Sequence, residues 1–354
     1  MVKHVAPTWR RSPRERAMLA VIIESCLRKL PSLFCKVISV DTCWMLPPPS
    51  FFGDPIIYFV SMITSEIFAH KITFDATLHR FSESYIKSVA SKPYSKDLSQ
   101  RRPLDYSIEK LSQVLQWRQE AGAADLIDFI HLANGPENSP EALANPEQLT
   151  KAKAVATALN TASQYWHGFT KDGRPIFWVR TNRKFWYPDV EAELKALILL
   201  TDAGIRTMPE GTTEFVVVSD STSPPPPNPN FMIGMLKGLV RGYPDRLGLL
   251  VSAPVSSIIQ FVMKLLLPLM PGRLSSKVLL YDMDRMVAKL EEILPNGKDG
   301  IPTFFGGAAN HDEFYPEDAY SKNQGQGSLT FDYFGMVERL EAARDEWIAT
   351  KKQD

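Results

Sequence analysis

The chain has 354 residues, of which 44% are hydrophobic, and its 40 basic residues balance 40 acidic ones. This length allows a substantial core and predicts two linked units. The neutral balance excludes the strong basic excess that is typical of nucleic-acid-binding proteins. Partners therefore have to be inferred from individual segments, taken below in chain order.

The first segment, residues 1–70, gives no clear fold. Its opening 16 residues are basic, which is compatible with a solvated arm, with contact to an anionic membrane or with an organelle-targeting segment. Cys26, Cys35 and Cys43 are an odd number without zinc-finger histidines, which indicates a reducing compartment. No apolar run here approaches the roughly 20 residues that span a bilayer.

Residues 71–150 have the pattern of a small helical module. Apolar positions at helical spacing predict helices over residues 76–90 and 107–120. A loop rich in Asn, Pro and Glu is predicted around residues 131–146, and a further helix over residues 152–165. The domain boundary is placed near residue 150.

From Pro175 onward, short apolar strands alternate with helices. The predicted strands cover residues 175–179, 214–219, 247–252 and 277–281, and the predicted helices cover residues 188–203, 231–241 and 256–269. This alternation is typical of parallel strands joined by right-handed crossovers. The predicted fold class is α/β, with a mostly parallel sheet flanked by helices. An acidic tail follows Gly307 and ends in a helix over residues 331–351.

The sequence contains no motif for catalysis, phosphate binding or metal binding. Nucleophile elbows, HExxH, P-loop and GxGxxG patterns are all absent, and the six histidines are scattered. We therefore predict no catalytic residue, no metal and no cofactor. A hydrolase assembled from distant positions, with His167 or His311 beside a serine and a carboxylate, is the remaining enzyme alternative.

The most unusual segment is the apolar run at residues 258–270, which only Gln260 and Lys264 interrupt. A helix that is apolar all round is buried on both sides, and this one is too short to span a membrane. It is therefore either a central helix between two layers or a lid over an apolar cavity. A lid would shield a bound lipid from water. A two-chain lipid in water exposes many methylene groups, and each one costs about 0.8 kcal/mol of transfer free energy.

Short motifs in a fixed order resemble the CRAL-TRIO family, which includes phosphatidylinositol transfer proteins. They are Asp172-Gly173-Arg174-Pro175, the strand at 215–220, Gly242-Tyr243-Pro244-Asp245-Arg246-Leu247-Gly248, Ser252-Ala253-Pro254, the apolar helix, Ser276-Lys277-Val278, Leu294-Pro295 and Gly306-Gly307. Upstream, Ala76-Thr77-Leu78-His79-Arg80-Phe81 and Leu115-Gln116-Trp117-Arg118 resemble the helical module that precedes the family's lipid domain. The resemblance implies a lipid cavity beneath a gate helix.

The resemblance also implies particular site residues. The gate helix and cavity residues would be Ile258, Ile259, Phe261, Val262, Leu265, Leu266 and Leu269. A headgroup would be contacted by Asp245 and Lys277, with Tyr243 facing either cavity or core. Asp245 is one methylene shorter than the family's usual glutamate, and Glu83 and Tyr85 stand near the position of its headgroup arginine. The aromatic residues Phe177, Trp178, Phe185, Trp186 and Tyr187 are assigned to the core.

The predicted organisation is an N-terminal segment (1–70), a helical module (71–150), a CRAL-TRIO lipid-binding domain (151–307) and an acidic tail with a helix (308–354). The predicted function is non-enzymatic binding and intermembrane transfer of phosphatidylinositol, phosphatidylcholine or another hydrophobic ligand. Such a protein would be cytoplasmic and peripheral at membranes, touching them transiently, and would bind no nucleic acid. The alternative is a protein-interaction module on the same fold, binding a small GTPase or scaffold through its terminal segments.

Overall fold

The computed structural model describes residues 84–85, 88–89, 104–184, 186–266, 272–315 and 329–352. The described residues from Lys110 onward belong to one compact unit, together with those near Tyr85. The prediction for residues 1–70 lies outside the described residues, as do Phe185 and most of the helix predicted over residues 76–90. Within that helix, Ser84, Tyr85, Ser88 and Val89 are helical.

Four helices precede the sheet: α1 (Leu104–Glu120), α2 (Leu126–Asn134), α3 (Pro140–Ala144) and α4 (Pro146–Leu159). Ser139 and Asn145 cap α3 and α4 by accepting hydrogen bonds from backbone amides, and each cap is followed by a proline at the first helical position. The loop predicted around residues 131–146 is therefore wrong in part. Pro140 and Pro146 in this segment begin helices instead of interrupting the chain.

The sheet has five strands in the order β1 (Gln164–Phe169), β2 (Pro175–Arg180), β3 (Phe215–Asp220), β4 (Leu247–Ala253) and β5 (Val278–Leu280). β2 to β5 are parallel, as predicted, whereas β1 pairs antiparallel with β2. The helix predicted to reach residue 165 was wrong at its end. It stops at Leu159, because Ala162 adopts a left-handed φ of 43° and the chain turns into β1.

The remaining helices flank this sheet, and the predicted alternation is confirmed with small shifts of the bounds. They are α5 (Val190–Arg206), α6 (Pro229–Lys237), α7 (Ser257–Leu266), α8 (Gly272–Ser275), α9 (Met283–Ile293) and α10 (Tyr333–Lys351). A π-helical turn over Gly238–Gly242 continues α6, and 3-10 turns occur at Gly297–Gly300, Thr303–Phe305 and His311–Glu313. Side chains of Asp189, Asn228 and Asp282 cap α5, α6 and α9.

The two faces of the sheet differ in how completely protein covers them. One row of directly paired residues consists of Trp178, Val218, Val251 and Leu279. Its first three members are fully buried, and the Trp178 ring packs against Phe304, Phe305 and His311. The adjacent row points to the opposite face and consists of Phe177, Val217, Leu250 and Val278. Its last three members are partly exposed, so this face is incompletely filled by protein.

Candidate ligand-binding cavity

The incompletely filled face of the sheet borders a partly open cavity of about 750 Å³. This volume falls within the range of roughly 300–1,000 Å³ that is usual for small-molecule sites. The sheet contributes the side chains of Phe177, Val179, Phe215, Val217, Leu247, Leu250 and Val278. α5 contributes Leu194, Leu197 and Ile198, and α6 contributes Phe231, Met232 and Met235. These walls are apolar, so the interior suits a hydrophobic ligand.

Two glycines allow the walls to assemble. A Cβ atom at Gly234 would lie 2.4 Å from Leu194 Cδ1, so a side chain at residue 234 would push the Leu194 side chain aside. A Cβ atom at Gly242 would lie 2.2 Å from the ring of Trp117, which lines the end of the cavity. Substitution at either glycine would therefore displace a wall residue.

An aromatic pair closes another part of the wall. Tyr187 stacks on Phe231 with ring centroids 4.3 Å apart and planes inclined by 17°. Behind Tyr187, Lys184 forms a buried ion pair with Glu193, and its Nζ lies 5.6 Å from the centroid of the tyrosine ring. Burial raises the pKa of Tyr187 to about 12, with a further contribution from the charge of Glu193. The Tyr187 hydroxyl is therefore neutral at physiological pH.

A buried polar network joins α1 to α5 beside Trp117. Arg118 donates from both terminal guanidinium nitrogens to the two carboxylate oxygens of Asp202, at 2.9 and 2.7 Å. Tyr243, whose side chain lines the cavity, donates its hydroxyl hydrogen to Asp202 Oδ1 at 2.9 Å. Burial alone would lower the pKa of Arg118, but the Asp202 carboxylate outweighs it and the net shift is upward. The Arg118 guanidinium is therefore charged.

The predicted headgroup residues lie at one edge of the sheet. Tyr243 and Asp245 precede β4, and Lys277 immediately precedes β5, so the three meet at the amino ends of parallel strands. Tyr243 lines the cavity, whereas Asp245 and Lys277 are not among its lining residues. Asp245 has a left-handed φ of 62°. Their role in headgroup binding stays a prediction.

Lys277 has a partner that the sequence did not suggest. Its Nζ donates to Glu214 Oε1 at 2.9 Å and to the Leu247 carbonyl oxygen at 2.5 Å. Glu214 precedes β3 at the same edge, and both side chains of the ion pair are about a quarter exposed. An anionic ligand group would have to compete with Glu214 for this lysine.

Of the predicted gate helix, α7 covers residues 257–266. Ile259 lines the cavity, whereas Phe261 is 54% exposed. Two residues correspond to about 200° of rotation on a helix, which places these side chains on opposite sides of α7. The side chains of Ile258, Val262, Leu265 and Leu266, and the whole of Leu269, lie outside the described part of the structure. The gate role of the set stays a prediction.

The two histidines of the enzyme alternative lie together, but not in a hydrolase arrangement. Their ring centroids are 4.1 Å apart, and His311 Nδ1 is 3.1 Å from the Tyr165 hydroxyl oxygen. Burial lowers the pKa of His311 to about 2 and that of His167 to about 4. In the described structure, no serine hydroxyl forms a hydrogen bond with either imidazole. The neighbouring carboxylate, Asp312, is bound by Arg180 and Arg183.

No group of histidine, cysteine and carboxylate side chains among the described residues could hold a metal ion. None of the described helices combines the length and apolar character needed to cross a bilayer.

The cavity walls on β2 to β5, α5 and α6 were not identified from the sequence. Phe177 is buried in the core, as predicted, and also lines the cavity. Tyr187, assigned to the core, lines the cavity, and Trp186 is 64% exposed, so its assignment to the core was wrong. The available signal was the alternation along each strand, in which every second apolar residue shares a face. That signal identifies the face but not whether protein or ligand covers it.

Comparison with family models gives one match. Residues 159–307 match the model of the CRAL/TRIO domain. The matched segment begins at the last residue of α4 and includes all five strands, α5 to α9 and the cavity face of the sheet. Comparison of the chain with curated proteins finds no match.

Proposed function

We propose that the cavity carries one hydrophobic ligand, such as a phospholipid, between membranes, because residues 159–307 match the CRAL/TRIO domain family. Domains of this family in general bind or transfer lipids and are not enzymes. The observation that carries the proposal is the partly open cavity of about 750 Å³ against one face of the sheet.

The cavity walls give a ligand a physical reason to bind. Val217, Leu250 and Val278 are apolar but partly exposed, whereas Trp178, Val218 and Val251 of the adjacent row on the other face are fully buried. Atoms that line an unfilled space forfeit dispersion contacts, and each methylene moved from water into it contributes about 0.8 kcal/mol. An acyl chain therefore gains several kcal/mol here without covalent chemistry, metal or cofactor.

The polar group of the ligand is proposed to lie at the amino edge of β3 to β5. Tyr243 lines the cavity there, and Lys277 lies next to the lining residue Val278. A phosphate can accept hydrogen bonds from Lys277 once the lysine leaves Glu214, so the ion pair would act as a competitor that sets the preference for anionic lipids. The predicted gate helix would then cover the chains, with Ile259 facing them.

The same volume argues against the alternative of a protein-interaction module without lipid. In such a module bulky side chains would be expected to fill the space beside the sheet, since an empty apolar cavity destabilises a fold. Here the space is open, and it is bordered by apolar side chains of β2 to β5, α5 and α6. Ligand binding accounts for this arrangement and protein interaction alone does not.

The test is mass spectrometry of an organic extract of the purified full chain, together with transfer of labelled phosphatidylinositol or phosphatidylcholine between vesicles. Val217→Trp should fill the cavity and abolish loading and transfer. Leu143→Trp provides the matched control, because Leu143 is 68% exposed on α3. Circular dichroism checks that both variants fold. Absence of bound lipid and of transfer in the unmodified protein, or unchanged loading of Val217→Trp, would contradict the proposal.

A further inference from the structure

The segment that carries α6 and α7 is unusually poor in acidic residues. No Asp or Glu stands between Asp220 and Asp245, and none stands between Asp245 and Asp282. The basic residues in the same stretch are Lys237, Arg241, Arg246, Lys264, Arg273 and Lys277. Because the whole chain is formally neutral, this part of it concentrates positive charge beside the cavity.

One face of α6 and its π-helical turn presents part of this charge to solvent. Asn230, Ile233, Lys237 and Arg241 recur at helical spacing and are all exposed, Ile233 to 44%. Neither Lys237 nor Arg241 takes part in an ion pair with another described residue. Lys237 also borders the cavity, which places the cationic face next to the cavity wall.

An exposed tryptophan lies beside this face. Trp186 is 64% exposed, and its neighbour Tyr187 stacks on Phe231 at the start of α6. Tryptophan and isoleucine on a surface that also carries lysine and arginine form the composition of segments that lie in the membrane interface. The apolar groups enter the headgroup boundary while the cations meet anionic lipids.

We propose that the α6 face, formed by Trp186, Asn230, Ile233, Lys237 and Arg241, docks the protein on an anionic bilayer surface. This rests on the proposed function, because a cavity that exchanges lipid has to be brought against a membrane. Charge complementarity supports the choice of partner, since the face has two cations and no acidic residue. An exposed indole and an exposed isoleucine on the same face as the cations favour a lipid interface over an acidic protein surface.

The experiment is sedimentation of the full chain with vesicles of phosphatidylcholine alone and with vesicles that also contain phosphatidylserine. The unmodified protein should bind the anionic vesicles more tightly, and high salt should remove the difference. The variant K237Q/R241Q should lose about 25-fold in affinity for the anionic vesicles, since each basic residue near such a surface contributes roughly fivefold. Trp186→Ala should weaken binding to both kinds of vesicle.

The matched control is K298Q/K352Q, which removes the same charge from two exposed lysines outside this segment. It should bind like the unmodified protein. The assignment would be overturned if the unmodified protein bound both vesicle types equally, or if the control lost as much affinity as K237Q/R241Q. Absence of any vesicle binding would also overturn it and would favour a protein partner. Extraction of bound lipid separates this test from the proposed function. If the extract contains lipid but K237Q/R241Q binds the anionic vesicles as tightly as the unmodified protein, only the docking face is refuted. If the protein binds the anionic vesicles selectively but its extract contains no lipid, only the proposed cargo is refuted.

Discussion

Breaking the ion pair between Arg118 and Asp202 should strongly destabilise the protein. The two side chains are 7% and 4% exposed, and the pair joins α1 to α5 beside the cavity. Asp202→Leu leaves the Arg118 guanidinium buried without its carboxylate. Arg118→Met leaves the Asp202 carboxylate buried without its cation. Either change therefore creates an uncompensated charge in the interior.

The structure allows the size of this effect to be estimated. Asp202 accepts two charged hydrogen bonds from Arg118 and one from the Tyr243 hydroxyl. Removing one partner of such a pair typically lowers the free energy of unfolding by about 3–5 kcal/mol. Replacing both residues by apolar ones removes the two charges together, so R118M/D202L should lose only about 1–2 kcal/mol. In the double variant, the Ile198 carbonyl oxygen, 3.3 Å away, can still accept from Tyr243.

The assay is urea unfolding followed by circular dichroism at pH 7 for the four proteins of this double-mutant cycle. All four should first be freed of lipid, because a bound ligand adds its own stabilisation. The reasoning is refuted if Asp202→Leu loses less than about 1 kcal/mol, or if the loss in the double variant equals the sum of the single losses.

Two further predictions concern ligand preference and pH. Lys277→Glu should reduce loading of phosphatidylinositol but spare phosphatidylcholine, whereas Glu214→Gln should increase phosphatidylinositol loading by freeing the lysine; unchanged lipid ratios in the extracts would exclude the headgroup assignment. Burial holds the pKa of His167 at about 4 and that of His311 at about 2, so only the unfolded chain takes up these protons as the pH falls below about 6.5. The free energy of unfolding should therefore drop by about 2 kcal/mol between pH 6 and pH 5, and His311→Gln should reduce that slope; a flat urea-unfolding profile would contradict the burial argument.

The parallel part of the sheet was predictable because its signals are local. Apolar runs of strand length alternate with amphipathic helices, and capping residues such as Asp189 and Asn228 stand at the helix starts. β1 was not predictable in the same way. Its antiparallel pairing depends on the turn at Ala162 and on the turn at Gly173, whose φ is 81°. These turns set where the chain reverses, but they leave no periodic pattern of apolar residues in the sequence. An aromatic strand that follows an alanine-rich helix therefore looked like its continuation.

The site was less predictable than the fold, because cavities and ion pairs are tertiary properties. An apolar residue in a strand has the same sequence pattern whether it faces a packed helix or a ligand, which is why the sequence could not show that Phe177 lines the cavity. Lys277 and Glu214 are 63 positions apart, and only the parallel pairing of β3 to β5 brings their strand starts together. The ordered family motifs indicated which segments border the cavity. The spacing of apolar residues along the strands could not identify which side chains line it.

The exposed residues of the apolar helix bear on the two interpretations that composition left open, a central helix and a lid. A central helix between layers would have no solvent face, yet Ser257, Gln260, Phe261 and Lys264 recur at helical spacing and are all exposed on α7. Leaving half of the Phe261 side chain in water forfeits about 1 kcal/mol of the free energy that its full burial would contribute. That free energy becomes available when the exposed face of α7 meets an apolar surface. Ile259 on the other side lines the cavity, so this arrangement is compatible with the proposed cover over a ligand, whose gate role stays a prediction.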